Sequence, residues 1–66
     1  MTKTRPTCGE YRTLGEYRKA MYDWLRDNRL ISSSYYYDEM SCRIIMPLSG
    51  GFKCSIAPET LAEEVE

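Results

Sequence analysis

Cysteine and carboxylate side chains have the greatest capacity for chemistry in this chain. Cys8, Cys42 and Cys54 lie far apart in a sequence of 66 residues that contains no histidine. Zinc sites are usually built from closely spaced cysteine and histidine pairs, such as C-x-x-C, and this sequence has none. We therefore expect no metal, and we expect the cysteines to be small apolar residues of the core.

No constellation of residues predicts catalysis. Asp38 and Glu39 are adjacent, but they fall in a predicted turn, where carboxylates are usually solvated. Arg43 follows Cys42, and a neighbouring cation can activate a thiol, yet nothing in the sequence places a base beside this one. A glycine-rich phosphate loop and a G-x-S-x-G motif are both missing from the sequence. We expect no enzymatic activity, no cofactor and no small-molecule substrate.

The charged residues are unevenly distributed along the chain. Residues 1–29 include seven basic and four acidic residues, a net charge of +3, whereas residues 30–66 include two basic and six acidic residues, a net charge of −4. A basic first half suits a polyanion such as DNA, and an acidic second half opposes strong non-specific binding. No apolar run reaches the ~20 residues that span a membrane. Residues 1–10 show no signal peptide, so we expect a cytoplasmic protein with no membrane partner.

Residues 8–28 are predicted to form the N-terminal helical part. Both Thr7-Cys8-Gly9-Glu10 and Thr13-Leu14-Gly15-Glu16 have the T-x-x-E pattern of a capping box, which bonds the backbone where a helix begins. Apolar residues then follow at helical spacing and define one core-facing stripe: Leu14, Tyr17, Met21, Trp24 and Leu25. Gly15 leaves two alternatives, a helix-turn-helix with this glycine in the turn or one amphipathic helix that includes it. Asn28 is the expected left-handed residue at the helix end.

Residues 32–57 are predicted to form an antiparallel three-stranded sheet, or wing, because apolar and polar residues alternate there. Ser49-Gly50-Gly51 is the predicted turn of the second hairpin. A two-residue Gly-Gly loop would set Pro47 beside Cys54, whereas a three-residue loop gathers the apolar residues on one face. The pairs predicted by the three-residue loop are Leu48 with Phe52, Met46 with Cys54 and Ile44 with Ile56.

Residues 58–65 are predicted to form a short C-terminal helix. Pro58 suits the first position of a helix, and Glu59 suits the positive end of its dipole. Residues 1–6 are expected to be a flexible arm. The predicted fold class is therefore α+β in one small domain, 1–66, with the N-terminal helical part first, the antiparallel sheet second and the short helix last.

Several short motifs resemble those of the excisionase and MerR-type winged helix-turn-helix DNA-binding proteins. The matching residues are Leu14-Gly15, Arg18, Tyr22, Trp24-Leu25-Arg26 and Arg29-Leu30, then Gly50-Gly51 at the turn of the wing, and Ile56, Glu59 and Leu61 around the entry to the last helix. The chain departs from the family pattern at Tyr11 and Arg12, where small residues are usual. It departs again at Glu16, where an apolar residue is usual, and in residues 31–42, which look like an insertion.

The resemblance implies a small protein that binds double-stranded DNA, either sequence-specifically or as an architectural factor of a phage or mobile element. It implies a recognition helix over Arg18–Asn28 in the major groove. Six residues would contact DNA: Arg18, Lys19, Tyr22 and Arg26 on this helix, and Arg43 and Lys53 on the wing. The same helix residues are also compatible with an ordinary amphipathic helix whose charged face is solvated.

Three consecutive tyrosines, 35–37, favour a second class of function. Tyrosine is enriched at protein-binding hot spots because it offers a large contact area at low entropic cost. With the first hairpin loop predicted at 38–41, alternation places Tyr35 and Tyr37 on the core side and Tyr36 on the outer face, near Ile45. In this alternative the protein is an inhibitor or adaptor, and Tyr36 and Ile45 bind a host or phage protein such as a nuclease, polymerase or defence component.

Overall fold

A single amphipathic helix, α1 (Leu14–Asp27), forms most of the N-terminal helical part in a computed structural model that describes residues 4–65. The Thr13 hydroxyl caps it by accepting a hydrogen bond from the Glu16 N–H at 3.1 Å. Among the described residues before α1, 4–13, the only helical ones are a 3-10 turn at Cys8–Glu10. Gly15 therefore lies in the first turn of α1, and the chain adopts the one-helix alternative.

The apolar stripe of α1 is the centre of the core from Tyr17 onward, whereas Leu14, predicted to face the core, is 51% exposed at the start of the helix. Met21 and Leu25 are fully buried, and Trp24 is almost so. Ile44 of the sheet and Leu61 of the C-terminal helix pack against them. Burying one such side chain stabilises the fold by about 1.5–3 kcal/mol, so in a chain this short each of these contacts matters.

Three antiparallel strands form the sheet in the order β1 (Tyr36–Asp38), β2 (Arg43–Pro47) and β3 (Lys53–Ile56). The predicted register of the second hairpin is confirmed. Ile44 pairs with Ile56, Met46 pairs with Cys54, and the Leu48 N–H donates to the Phe52 carbonyl at 2.7 Å.

Glycine makes the turn of the second hairpin possible. Gly50 and Gly51 have φ angles of 75° and 81°. This left-handed region is open to glycine and strained for other residues. The three-residue loop predicted at Ser49–Gly51 is therefore the one that forms.

The first hairpin is shorter than predicted and shifted by one residue. Asp38 pairs with Arg43, so the loop covers residues 39–42 and not 38–41. Residues 32–35 form a turn instead of a strand, because the Ser32 hydroxyl accepts from the Ser34 N–H at 3.2 Å and the Ser32 carbonyl accepts from the Tyr35 N–H at 3.1 Å. Serine side chains offer the backbone this local alternative to a strand ladder.

The C-terminal helix, α2 (Pro58–Val65), confirms the last predicted element and packs against α1. Both helices lie on the face of the sheet that carries Tyr37, Ile44 and Ile56. The predicted α+β class is confirmed. Of the predicted arm, residues 1–3 lie outside the described residues, whereas Arg5 and Pro6 are half-buried.

Candidate functional site

Arg18 joins three elements of the fold. Its Nη2 lies 3.0 Å from Glu59 Oε2 and its Nε lies 3.1 Å from Glu59 Oε1, which makes a two-pronged ion pair between α1 and α2. Its Nη1 also donates to the Cys42 carbonyl at 3.5 Å. The side chain is only 18% exposed. Its donors face the protein itself, so Arg18 is not placed as the resemblance implied for a DNA contact.

Tyr22, a predicted DNA contact, has its side chain in the core and not on an exposed helix face. Only 5% of it is exposed. Its hydroxyl donates to the Tyr35 carbonyl at 3.5 Å, and its ring centroid lies 5.7 Å from that of Tyr37. A base edge could not reach a ring covered in this way.

The exposed face of α1 carries charges of both signs. The Lys19 ammonium lies 3.3 Å from the Asp23 carboxylate and 5.1 Å from the centroid of the Tyr22 ring. Arg26 is exposed in the last turn of the helix, next to Asp27. Asp23 therefore offsets the charge of Lys19, and α1 as a whole has three acidic and three basic residues, so it lacks the excess of positive charge that suits a polyanion.

The face of the sheet opposite the helices carries an aromatic and aliphatic pair between two cations. Tyr36 is 42% exposed and stands directly opposite the half-buried Ile45. The Lys53 ammonium lies 5.8 Å from the centroid of the Tyr36 ring. We call Tyr36, Arg43, Ile45, Lys53 and Ser55 the outer sheet surface. The structure thus brings four of the predicted residues onto one face: Tyr36, Arg43, Ile45 and Lys53.

Arg43 spans from β2 to β3 on this face. Its Nε donates to Ser55 Oγ at 3.2 Å, and its Nη2 donates to the Ser55 carbonyl at 3.1 Å. Lys53 and Arg43 are the charged residues between Met40 and Pro58, a stretch that contains no acidic residue. The β2–β3 hairpin is therefore a positive, partly apolar projection from a protein of net charge −1.

Large apolar side chains are exposed at the end of this hairpin. Leu48 is 54% exposed and Phe52 is 71% exposed. The sequence pattern predicts both side chains on the apolar face of the hairpin, in the core. They lie beyond the helices, because α1 and α2 cover the sheet only at the Ile44 end. An apolar pair that flanks a Ser-Gly-Gly turn is the signal that could have identified an exposed tip.

A cleft of about 610 Å³ opens between the start of α1 and the β1–β2 loop. Tyr37 and Cys42 form one side of it, and Gly15, Glu16 and Lys19 form the other. The Tyr37 hydroxyl donates to the Gly15 carbonyl at 3.3 Å. Burial of the ring, together with Cys42, raises the pKa of Tyr37 to about 12. Tyr37 therefore stays protonated at neutral pH and is a structural donor in this cleft.

The three cysteines are free thiols, and the prediction that they lie in the core is wrong for Cys8 and Cys54, which are exposed. Cys54 pairs with Met46, as predicted, but it lies on the part of the hairpin that the helices leave uncovered. Among residues 4–65, no group of cysteine, aspartate and glutamate side chains has the geometry to hold a metal ion. In the same range, no helix has both the length and the apolar character that crossing a membrane requires.

Comparisons with protein-family models, with curated proteins and with solved structures give no match to this chain. The resemblance to winged helix-turn-helix proteins therefore stays a prediction from short motifs. Three features of the structure consequently bear on function: the outer sheet surface, the hairpin end and the surface of α1.

Proposed function

We propose that this protein is a small adaptor or inhibitor that binds a partner protein through the outer sheet surface. The observation that carries the proposal is the Tyr36–Ile45 pair on a sheet face that the described helices leave open. An exposed aromatic ring beside an aliphatic side chain, with cations at the edge, has the composition of a protein-binding hot spot. The apolar end of the hairpin, Leu48 and Phe52, adds exposed apolar area on the opposite face of the hairpin, the one that carries Ile44 and Met46.

Double-stranded DNA is the second candidate partner, and Lys19, Arg26, Arg43 and Lys53 are the cations that would serve it. Its support is weaker, because Arg18 is paired with Glu59 and Tyr22 is buried. Residues 4–13, the described part of the chain before α1, supply a 3-10 turn and not a first helix of a helix-turn-helix. A protein partner makes use of the apolar residues of the outer sheet surface, which DNA binding does not require.

The proposed place of action is the cytoplasm. All three cysteines are free, and two of them are exposed. Exposed thiols persist in reducing compartments and tend to become oxidised outside them. We propose no catalysis, because the cleft beside Tyr37 offers a neutral phenol and the Cys42 thiol donates to the Glu39 backbone carbonyl at 3.7 Å and not to a basic side chain.

Affinity capture with matched variants tests the proposal. The double variant Tyr36→Ser/Ile45→Thr removes apolar area from the outer sheet surface and retains a β-branched residue at position 45. Its control, Leu14→Ser/Met40→Thr, removes apolar area that is exposed elsewhere on the molecule. We expect a partner captured by the wild type and by the control to be lost by the Tyr36/Ile45 variant. Equal capture by all three proteins would contradict the proposal.

Fluorescence anisotropy with duplex DNA tests the second candidate. Lys19→Glu/Arg26→Glu reverses two cations of α1 and leaves the Arg18–Glu59 pair intact. If the wild type binds DNA at low salt, and this variant and added salt both abolish binding, DNA becomes the partner. If the protein-binding proposal is right, we expect DNA binding to be weak and unchanged by these substitutions.

A further inference from the structure

Strand β3 is an open edge of the sheet. It pairs with β2 on one side, and no described residue forms a strand on its other side. In an antiparallel ladder, hydrogen-bonded and non-hydrogen-bonded pairs alternate. Because Leu48 bonds to Phe52, the pairs Met46–Cys54 and Ile44–Ile56 are also hydrogen-bonded. The backbone groups of Lys53 and Ser55 are therefore directed outward, away from β2.

This edge offers more hydrogen-bond donors than acceptors. The outward groups are two N–H donors and two carbonyl acceptors, but the Ser55 carbonyl already accepts a hydrogen bond from Arg43. Two positive side chains lie at β3. Lys53 belongs to this strand, and Arg43 reaches it from β2 by bonding to Ser55. The neighbouring apolar residues at the end of the hairpin, Leu48 and Phe52, are exposed.

We propose that β3 is the docking edge for an extended, acidic segment of a partner protein, which joins the sheet as a fourth strand. The inference deepens the proposed function and rests on it. Backbone hydrogen bonds to the outward groups of Lys53 and Ser55 provide the register, as in other cases of strand addition. Carboxylates of the segment face Lys53 and Arg43, and its apolar residues contact Phe52.

Charge selects this occupant over a second copy of the chain. Pairing β3 with its own copy would bring two Lys53 and two Arg43 side chains to one short strand pair, and like charges at this distance repel. The same cations attract an acidic segment. The β2–β3 hairpin has no acidic residue of its own between Met40 and Pro58, and the carboxylate of β1 on this face, Asp38, stands opposite Arg43 and not opposite Lys53.

Titration of the isotope-labelled full chain with two synthetic peptides tests the inference. One peptide alternates glutamate with valine, and the other replaces every glutamate by lysine. By nuclear magnetic resonance we expect the acidic peptide to slow hydrogen exchange at the Lys53 and Ser55 amides, and the basic peptide to leave them unchanged. Equal binding of the two peptides, no binding of either, or protection confined to β1 or the helices would overturn it.

Charge reversal at β3 gives the matched comparison. Lys53→Glu should weaken binding of the acidic peptide by about fivefold or more, whereas Arg26→Glu, with the same change in net charge on α1, should leave it unchanged. If capture of a partner requires Tyr36 and Ile45 but is unaffected by Lys53→Glu, strand addition is wrong and the proposed function stands. Capture that is indifferent to Tyr36 and Ile45 as well would sink both. A dimer formed through β3, seen by analytical ultracentrifugation, would also overturn the inference.

Discussion

Arg18 and Glu59 form a two-pronged ion pair across 41 residues of sequence, with Nη2 3.0 Å from Oε2. The pair connects the first turn of α2 to the N-terminal half of α1. The contact of Arg18 with the Cys42 carbonyl adds the end of the β1–β2 loop to the same junction. A side chain that the sequence offered as a DNA contact is therefore a connector of the fold.

The ion pair predicts that reversing the charge of Arg18 destabilises the protein. Arg18→Glu would set two carboxylates against each other at a partly buried site and should lower the free energy of unfolding by about 2 kcal/mol or more. Arg26→Glu makes the same change on the surface and should cost about 1 kcal/mol or less, through the helix dipole. Urea unfolding of both variants measures the difference. Equal losses would contradict a structural role for Arg18.

Arg29 occupies the left-handed position at the end of α1, with φ of 56°. The Leu30 N–H bonds to the Leu25 carbonyl at 2.9 Å and the Arg29 N–H bonds to the Arg26 carbonyl at 3.0 Å, the two bonds of a Schellman motif. From the sequence, the left-handed residue is predicted at Asn28. That residue has φ of −93°, and its side chain instead donates to the Trp24 carbonyl at 2.7 Å.

Arg29→Gly should therefore stabilise the protein. A non-glycine residue in the left-handed region costs about 1–2 kcal/mol, and the added freedom of glycine in the unfolded chain costs about 0.5–1 kcal/mol, which leaves a gain near 1 kcal/mol. Asn28→Gly is the control and should destabilise, because it removes the hydrogen bond to Trp24. Thermal unfolding of the two variants checks the signs. A loss of stability in Arg29→Gly would refute the argument.

Local patterns were sufficient to predict most of the backbone. Alternation and the Ser-Gly-Gly turn fixed the register of the second hairpin, because a slip of one residue would have moved every apolar side chain to the other face. Pro58 and Glu59 marked the start of α2 in the same way. These features depend on residues that are close together in the sequence, so the sequence is sufficient to predict them.

The positions of Arg18 and Tyr22 depend on distant residues. Tyr22 flanks the apolar stripe of α1 and would be half-exposed on an isolated helix. Tyr35 and Tyr37 of the first hairpin cover it. The partner of Arg18 lies in the last helix. Spacing within α1 could reveal neither contact, so the helix residues predicted to bind DNA include two that the fold itself uses.

The raised pKa of Tyr37 predicts a pH dependence of stability. Its ordinary value is 10.0, and in the folded protein it is about 12. Because the folded pKa is above the unfolded one, the stability linked to the neutral phenol is fully present below about pH 10 and is lost as pH rises through 12. Tyr37→Phe should remove this part of the alkaline destabilisation. The difference in tyrosinate absorbance between wild type and variant should titrate near pH 12, and a midpoint near 10 would contradict the raising of this pKa by burial of the ring and by Cys42.

Gly15 accommodates the close approach of the β1–β2 loop to α1. A Cβ at this position would lie 3.3 Å from Cys42 Sγ, closer than an ordinary van der Waals contact. Alanine is favoured over glycine in helices by up to about 1 kcal/mol, so Gly15→Ala would stabilise α1 if the loop were elsewhere. In the wild-type background we expect the clash to cancel this gain.

Removal of the sulfur should restore the gain. Relative to Cys42→Ala alone, Gly15→Ala/Cys42→Ala should be more stable, with a coupling energy of about 0.5–1 kcal/mol in a double-mutant cycle. Gly9→Ala provides the control, since nothing lies within 4 Å of a Cβ there and no coupling to Cys42 is expected. If Gly15→Ala stabilises the wild type as much as it stabilises Cys42→Ala, the loop does not press on the helix, and the glycine is not explained by packing.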